Sequence, residues 1–358
     1  GEDAMAIVIT DEDVRRLLSM EECIEAMRVA FSDLGQGKAT AMPRMRYTIQ
    51  SPDPKRRYFA NVHIGAVASY GTSCVRAGSH FILEDDSATG RRVLNNPDPV
   101  NWSVIILYDL ATAEPIAFLH ESYLSGLRVG ATTGAAVDAL ARDDATTLGL
   151  FGTGRQAASS LDAIRAVRPI TRVNVYSPNA ERRAAFADRM ARDGCEMVAV
   201  ATPQAVIEGA DIVSCATNTK NPVFDGDWLS PGQMVVSIVN SDVTGTRREV
   251  DEATFARADD IIINDRDSVH ANCQVELLEP IEKGLVDEAR VHTLADILAG
   301  AAQAKSTPDN IVYYKNNTGL ALQFAAAGAI LYKKLSAEGT NRVIPRDWLA
   351  AEKYSESS

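Results

Sequence analysis

Apolar and polar positions follow two different periods along this chain. The run "AIVIT" from Ala6 reads as a strand, after which Thr10 is placed to cap a short helix through Leu18. Ser19 with Glu22 three residues on forms a capping box, and Cys23, Met27, Ala30, Phe31 and Leu34 recur at helical spacing until Gly35 ends the run. From about Met45 to Phe118 the pattern becomes β-like, in the segments "RMRYTI", "RRYFANVHIG", "SCVRAGSHFIL", "WSVIILYDL" and "EPIAFLH". The clusters "SPDP", "SATG" and "NNPDP" separate them as turns. This predicts an antiparallel sheet with two helices. A further helix, "YLSGLRVGATTGAAVDALARD", carries Gly, Ala and Thr along one face and delivers the chain to Leu148.

From Leu148 onward strands and helices alternate: "RVNVYS", "ERRAAFADRMARDG", "EMVAVA", "PQAVIEGA", "DIVSCAT", "MVVSIVNS" and "DDIIIND". That alternation is the signature of a parallel sheet. Near the end, "GLALQFAAAGAILYKKLS" is an apolar helix of about five turns, too short and alanine-rich for a membrane span and suited to core or dimer packing. The serine-rich tail after Lys353 is expected to be disordered.

The α/β half opens on "LGLFGTGRQA". Its strand runs into Gly152-Thr153-Gly154-Arg155-Gln156-Ala157, spaced G-x-G-x-x-A. Gly152 permits a tight turn, Gly154 lets backbone approach a pyrophosphate, and Ala157 keeps the next helix close to the sheet. The helix starting near Arg155 presents free N–H groups and its positive dipole end to an anion. The helix pattern to Pro169 and the strand "TRVNVYSPN" complete the βαβ unit that this motif requires. In the second strand, Ser177 holds the position of the acid that would bind the ribose hydroxyls of NAD and repel a 2′-phosphate. With Arg182 and Arg183 nearby, this favours NADP while leaving NAD open.

Composition narrows the class. The 358 residues point to two domains, and a net charge of −12 without basic clusters excludes nucleic acid and anionic membranes as partners. Cys23, Cys74, Cys195, Cys215 and Cys273 are scattered and odd in number, which fits a reduced cytoplasm with neither a zinc site nor a disulfide framework. The five histidines, His63, His80, His120, His270 and His292, lack metal-ligand spacing and read as structural or exposed. Gly1-Glu2-Asp3-Ala4 ahead of Met5 reads as a cloning remnant.

Several phrases, in order and at their intervals, point further: "MPRMR", "SYLSGLRVGA", "FGTGRQA", "CATNT", "NSDVTGTRREVD" and "KNNTGLAL". Over nearly its whole length the chain resembles the ornithine cyclodeaminase and mu-crystallin family. The resemblance implies a Rossmann domain, 129–318, inserted into a substrate-binding and dimerisation domain, 5–128, that the C-terminal helix 319–350 completes. It implies reduction of a small α-imino acid by NAD(P)H, or the reverse amino-acid dehydrogenation, in a homodimer. Arg44 and Arg128 sit where the family holds the substrate carboxylate, a role the guanidinium fork suits. Asp242, at the carboxyl end of a strand, matches the family's catalytic aspartate. Lys315, Asn316, Asn317 and Gly319 match a segment near the nicotinamide, and Thr217 and Asn218 match cofactor contacts. Ser73 stands at the position of the cyclodeaminase lysine, with Arg76 three residues on as a replacement cation aimed at a second carboxylate such as that of iminosuccinate. Val129 replaces the threonine usual after the family arginine. Both departures weaken the alternative of an ammonia-releasing ornithine cyclodeaminase, and Asp242 argues against a non-catalytic, mu-crystallin-like binding protein.

Overall fold

In the computed structural model, which describes residues 5–85, 92–95, 102–241 and 245–351, the two periods become two sheets. Residues 1–4, the turn at 87–90, most of that at 95–99, and the serine-rich tail lie outside the described residues.

The first sheet draws strands from both ends of the chain. Its order is Val343–Pro345, Met5–Ile9, Pro115–His120, Trp102–Asp109, Thr72–Asp85, Arg56–Val67, Ala39–Ala41, with Met45–Gln50 also pairing Arg56–Val67 and Arg92–Asn95 pairing Thr72–Asp85. The pairings are antiparallel as expected, except that Met5–Ile9 runs parallel to Pro115–His120. Alternation gives the two faces different fates. On the inner face, Thr72 Oγ1 donates to the Ala325 carbonyl at 2.9 Å and Cys74 Sγ to that of Ala321 at 3.1 Å. This face packs on the helix Ala321–Glu338 so closely that a Cβ on Gly65 would lie 2.7 Å from the Leu322 nitrogen. The outer face leaves Met45, Tyr47, Ile49, Ile64, Trp102 and Val104 exposed.

The second sheet has eight strands, all parallel, in the order Glu196–Ala199, Arg172–Tyr176, Thr147–Phe151, Ile212–Cys215, Met234–Ser237, Val312–Lys315, Asp260–Ile263, Val291–Thr293. The strand order reverses at Thr147–Phe151, where open α/β sheets bind ligands. Two strands, Val291–Thr293 and Val312–Lys315, are additions to the sequence reading. Val312–Lys315 is central and buried on both faces, so it carries no alternation by which to be found.

The expected boundary at 128/129 falls inside one continuous helix, Tyr123–Leu140. Its small residues let it touch elements of both halves: a Cβ on Gly130 would lie 2.1 Å from Ser159 Oγ, and one on Gly134 would lie 2.9 Å from Ile24. Gln323, fully buried on the C-terminal helix, donates to Thr132 Oγ1 at 2.7 Å and ties that helix to this one. One apolar core accordingly runs through both sheets.

Candidate active site

The turn after Thr147–Phe151 is built for close approach. Gly152 has φ 108°, and a Cβ there would lie 2.2 Å from the Ala216 carbonyl oxygen. Gly154, in contrast, has open space where its Cβ would be. It precedes the helix Arg155–Val167, whose N-terminus has no side-chain cap, and Gln156 Oε1 is enclosed without a partner among the described residues. Free N–H groups, a dipole end and an unobstructed glycine fit a pyrophosphate.

Helix Tyr123–Leu140 links that turn to a cluster of guanidiniums. The Gly126 carbonyl accepts from Ser159 Oγ at 3.0 Å, and a Cβ on Gly126 would lie 3.5 Å from Arg155 Nε. Arg128 follows within the next turn, 7% exposed. It donates through Nη1 to Gln323 Oε1 at 2.9 Å and stacks on Phe324, its Cζ 4.7 Å from the ring centre. Gly319 lies flat against it, and a Cβ there would be 2.0 Å from Nη1. Arg44 enters from the other side. Strand pairing jumps from Ala41–Gly65 to Met45–Val62, so Arg44 emerges from a kink across from His63 and Ile64. The Nε atoms of both Arg44 and Arg128 are enclosed and lack partners among the described residues. Burial, followed by repulsion from Arg76, Arg46 and Arg128, brings Arg44 down to about 9. Burial and Arg76, opposed by Glu121, bring Arg128 to about 10. Such a pair, enclosed and short of acceptors, is arranged to receive an anion.

Arg76 belongs to the cluster but is engaged differently from the expectation. Its Nη2 lies 2.6 Å from Glu121 Oε2, and its Nη1 donates to Asn61 Oδ1. Glu121 is 3% exposed; Arg76 and a bond from Ser125 outweigh burial and hold its carboxyl below the usual range. A guanidinium balanced by a buried carboxylate is not a free fork for a second substrate carboxylate. Ser73 also needs correction. It pairs with Ala66, on the outer face, while Arg76 pairs with His63 on the inner one, and its Oγ donates to Gly65 O at 3.3 Å. The cation that this strand offers to the site is therefore Arg76.

Behind the carboxyl ends of the parallel strands lies a buried acid network that the sequence reading missed. Glu249 Oε1 accepts from Thr217 N at 2.6 Å and Thr217 Oγ1 at 2.8 Å, and its Oε2 from Ile238 N at 2.8 Å and Val239 N at 2.9 Å. Glu276 Oε1 in turn accepts from the backbone of Glu249 and Val250, and its Oε2 takes Lys315 Nζ. Burial, then the charge of Glu276, pushes Glu249 up to about 7. The network fastens the loops that follow three adjacent strands. It also engages Lys315, whose ammonium is fully buried against Glu276. Asn316 donates to Val129 O and Thr133 Oγ1, both at 2.9 Å, stitching the loop to helix Tyr123–Leu140. Asn317 donates to Val239 O and Gln274 Oε1, while its own Oδ1 stays unpartnered among the described residues. Thr217 gives its N–H and hydroxyl to Glu249, and Asn218 is exposed. Asp242 lies outside the described residues.

At the end of the second parallel strand, Ser177 Oγ donates to Asn179 O at 3.2 Å, and Arg183 donates to Ser177 O at 2.9 Å over the Tyr176 ring. Arg182 is exposed at the start of helix Ala180–Arg189. Among the described residues no group of acids and histidines could hold a metal ion, and no helix is long and apolar enough to cross a membrane.

The family model described as "Ornithine cyclodeaminase/mu-crystallin family" matches residues 4–339. The chain belongs to that family. Among relatives, a Delta(1)-pyrroline-2-carboxylate reductase of Bacillus cereus is 26% identical over 94% of this chain and 99% of its own. An alanine dehydrogenase of Archaeoglobus fulgidus is 25% identical over 91% of this chain and 94% of its own. The structure of the Thermococcus litoralis Delta(1)-pyrroline-2-carboxylate reductase, in complex with NADH and L-proline, superposes with a TM-score of 0.79 at 26% identity, covering 94% of this chain and 99% of that one. The guanidinium cluster draws Arg44 and Arg76 from the first sheet and Arg128 from helix Tyr123–Leu140.

Proposed function

We propose that the protein reduces a small α-imino acid to the amino acid with a reduced nicotinamide cofactor, or runs the reverse dehydrogenation. The observation that carries this reading is that Arg128, on a helix that also packs against the N-terminus following Gly154, and Arg44, from the first sheet, both keep enclosed Nε donors without partners among the described residues. Relatives named as reductases and dehydrogenases of such acids support it. Arg44 and Arg128 hold the substrate carboxylate and so fix the carbon bearing the C=N bond, and fixed geometry removes several kcal/mol of barrier, of order 10²- to 10⁵-fold in rate. The reduced nicotinamide supplies hydride to that carbon. Asp242, assigned on its motif alone, supplies the proton to nitrogen, so that hydride and proton together saturate the bond.

Because Arg76 is balanced by Glu121, a single carboxylate on the substrate suffices for the site. Arg182 with Ser177 supports NADP, and the neighbour bound to NADH supports NAD, so both are assayed. The exposed apolar face of the first sheet, with Tyr47 and Trp102, supports a homodimer in which residues 5–128 and 319–350 form the substrate and dimerisation unit around a cofactor unit, 129–318. The odd, scattered cysteines support a cytoplasmic setting.

Oxidation of NADH and NADPH is followed with Δ1-pyrroline-2-carboxylate and with a panel of 2-oxo acids plus ammonia or methylamine. Turnover on at least one imine, lost at least 10²-fold on Arg128→Met, is expected. A protein that binds nucleotide and turns over none of them overturns the reading.

A further inference from the structure

One residue of the site is accounted for neither by the fold nor by the proposed chemistry. His63 lies on the inner face of strand Arg56–Val67, directly opposite Arg76 in register, and is 2% exposed. Both of its ring nitrogens are enclosed and neither has a partner among the described residues. A core histidine ordinarily satisfies at least one nitrogen, because each buried polar group left unpaired costs stability that a leucine of similar volume would not. The neighbours explain why His63 is not satisfied internally. Its ring meets Phe324 edge-on, with centroids 5.8 Å apart and planes at 88°, while the face of Phe324 carries Arg128. Arg76 directs its donors to Glu121 and Asn61, and Arg128 directs Nη1 to Gln323. The imidazole is thus left with a donor and an acceptor at the place where Arg44 and Arg128 also keep donors unmet among the described residues.

We propose that His63 is a substrate-contacting residue that hydrogen-bonds the imino acid held by Arg44 and Arg128. This rests on the reading of those two arginines as the carboxylate grip. The charged groups facing the ring are Arg44, Arg46, Arg76 and Arg128, with Glu121 bound to Arg76. After burial, it is this surplus of cations that keeps the free imidazole neutral well below its usual range. A neutral imidazole offers one donor and one acceptor, enough to bridge a carboxylate oxygen and a substrate N–H. An arriving carboxylate also cancels part of the cationic field, so protonation of His63 becomes easier in the complex. Ligand binding and His63 titration are therefore coupled.

The test uses the full chain with NAD+ bound and L-proline or L-alanine as the probe. Imidazole ¹H–¹⁵N correlations are recorded from pH 5 to 8, with His63 assigned by the loss of its signal in His63→Gln. Expected is a His63 ring that stays neutral without amino acid, then shifts on addition of the probe and titrates at higher pH, while the other four histidines stay unmoved. In kinetics, His63→Leu raises KM for the imino acid about tenfold or more with KM for the nicotinamide unchanged, and His63→Gln, which keeps a donor and an acceptor, recovers most of it. Probe binding that depends on Arg128 but leaves the His63 signal unmoved, or a His63→Leu enzyme with unaltered KM and kcat, overturns this proposal alone. If neither probe binds, or binding ignores Arg128→Met, the carboxylate grip fails and this proposal fails with it.

Discussion

Substituting Gly319 tests the arginine grip without altering any group proposed to touch substrate. Gly319 is not among the glycines in the left-handed region, so alanine meets no backbone strain there. What it meets is Arg128: the added Cβ would stand 2.0 Å from Nη1, 2.8 Å from Cζ and 2.9 Å from Nη2. Separations below 3 Å between such atoms are not tolerated, and all three belong to one rigid plane. The guanidinium must slide off Phe324 and away from Gln323. A carboxylate gripped by Arg128 through two charge-assisted hydrogen bonds then loses about 3 to 6 kcal/mol, at roughly 1.5–3 kcal/mol each. Expected, then, is a fall in kcat/KM for the imino acid of roughly 10²- to 10⁴-fold.

Two measurements separate this from general damage. NADH affinity, read by quenching of intrinsic fluorescence, should stay within about twofold of the parent, since the Gly154 turn is untouched. Arg128→Met combined with Gly319→Ala should be no worse than Arg128→Met alone, because both changes remove the same grip. A folded Gly319→Ala enzyme with kcat/KM within twofold of the parent would falsify the assignment of Arg128 as the carboxylate ligand.

Three other expectations follow from the same geometry. Gly154→Ala should fold normally and lose cofactor affinity only, since its Cβ meets nothing in the protein, whereas Gly152→Ala should destabilise the fold because of its φ of 108° and the Ala216 carbonyl 2.2 Å away; melting temperatures paired with NADH titrations distinguish them. Glu249, raised to about 7 from a usual 4.5, binds its proton more tightly folded than unfolded, so the stability it adds is full below about pH 4.5 and lost as pH rises through about 7. Urea denaturation at pH 5 and 8 should therefore show a pH-dependent loss of about 2 to 3 kcal/mol that Glu249→Gln lacks, and identical pH dependence in the two proteins would refute it. Tyr47→Asp with Trp102→Asp should convert a dimer to monomer in sedimentation velocity, because both side chains stand on the exposed apolar face; an unchanged sedimentation coefficient would remove that face as the interface.

Most of the architecture was legible because its elements carry their own signals. Thr10 and Ser19 cap their helices as expected, Ser19 in the box with Glu22 and Thr10 in a further box with Asp13 that the structure adds, and the G-x-G-x-x-A turn lies between strand and helix. What stayed hidden depended on who sits opposite whom. Nothing in "VHIG" or "CVRAG" says that His63 faces Arg76, or that Ser73 faces the other way, until the register between the two strands is known. The strand that ends at Lys315 escaped notice because four residues buried on both faces have no period, and the pairing of Lys315 with Glu276 spans 39 positions. Glu249 stood inside a recognised phrase, but its role is to hold backbone N–H groups of loops far from it in sequence.

The arrangement also explains why the chain's two ends must meet at the middle helix. A guanidinium taken out of water without a matching acid costs several kcal/mol. Arg128 nonetheless stays buried, sharing the charge of Glu121 with Arg76 and supported by one neutral oxygen from Gln323 and the face of Phe324, these two on the C-terminal helix. Arg44 comes from a kink in the first sheet, and the helix that follows the nucleotide-fitting turn packs on Tyr123–Leu140, the helix that carries Arg128. No one segment supplies both a cation and its support, so the pair of unmet donors exists only when the first sheet, the middle helix and the last helix are assembled. A charged site that is costly when empty and relieved by an anion makes ligand binding a stabilising event. Thermal stability should therefore rise with added amino acid in the parent and fail to rise in Arg128→Met; an equal rise in both would mean that the anion is held elsewhere.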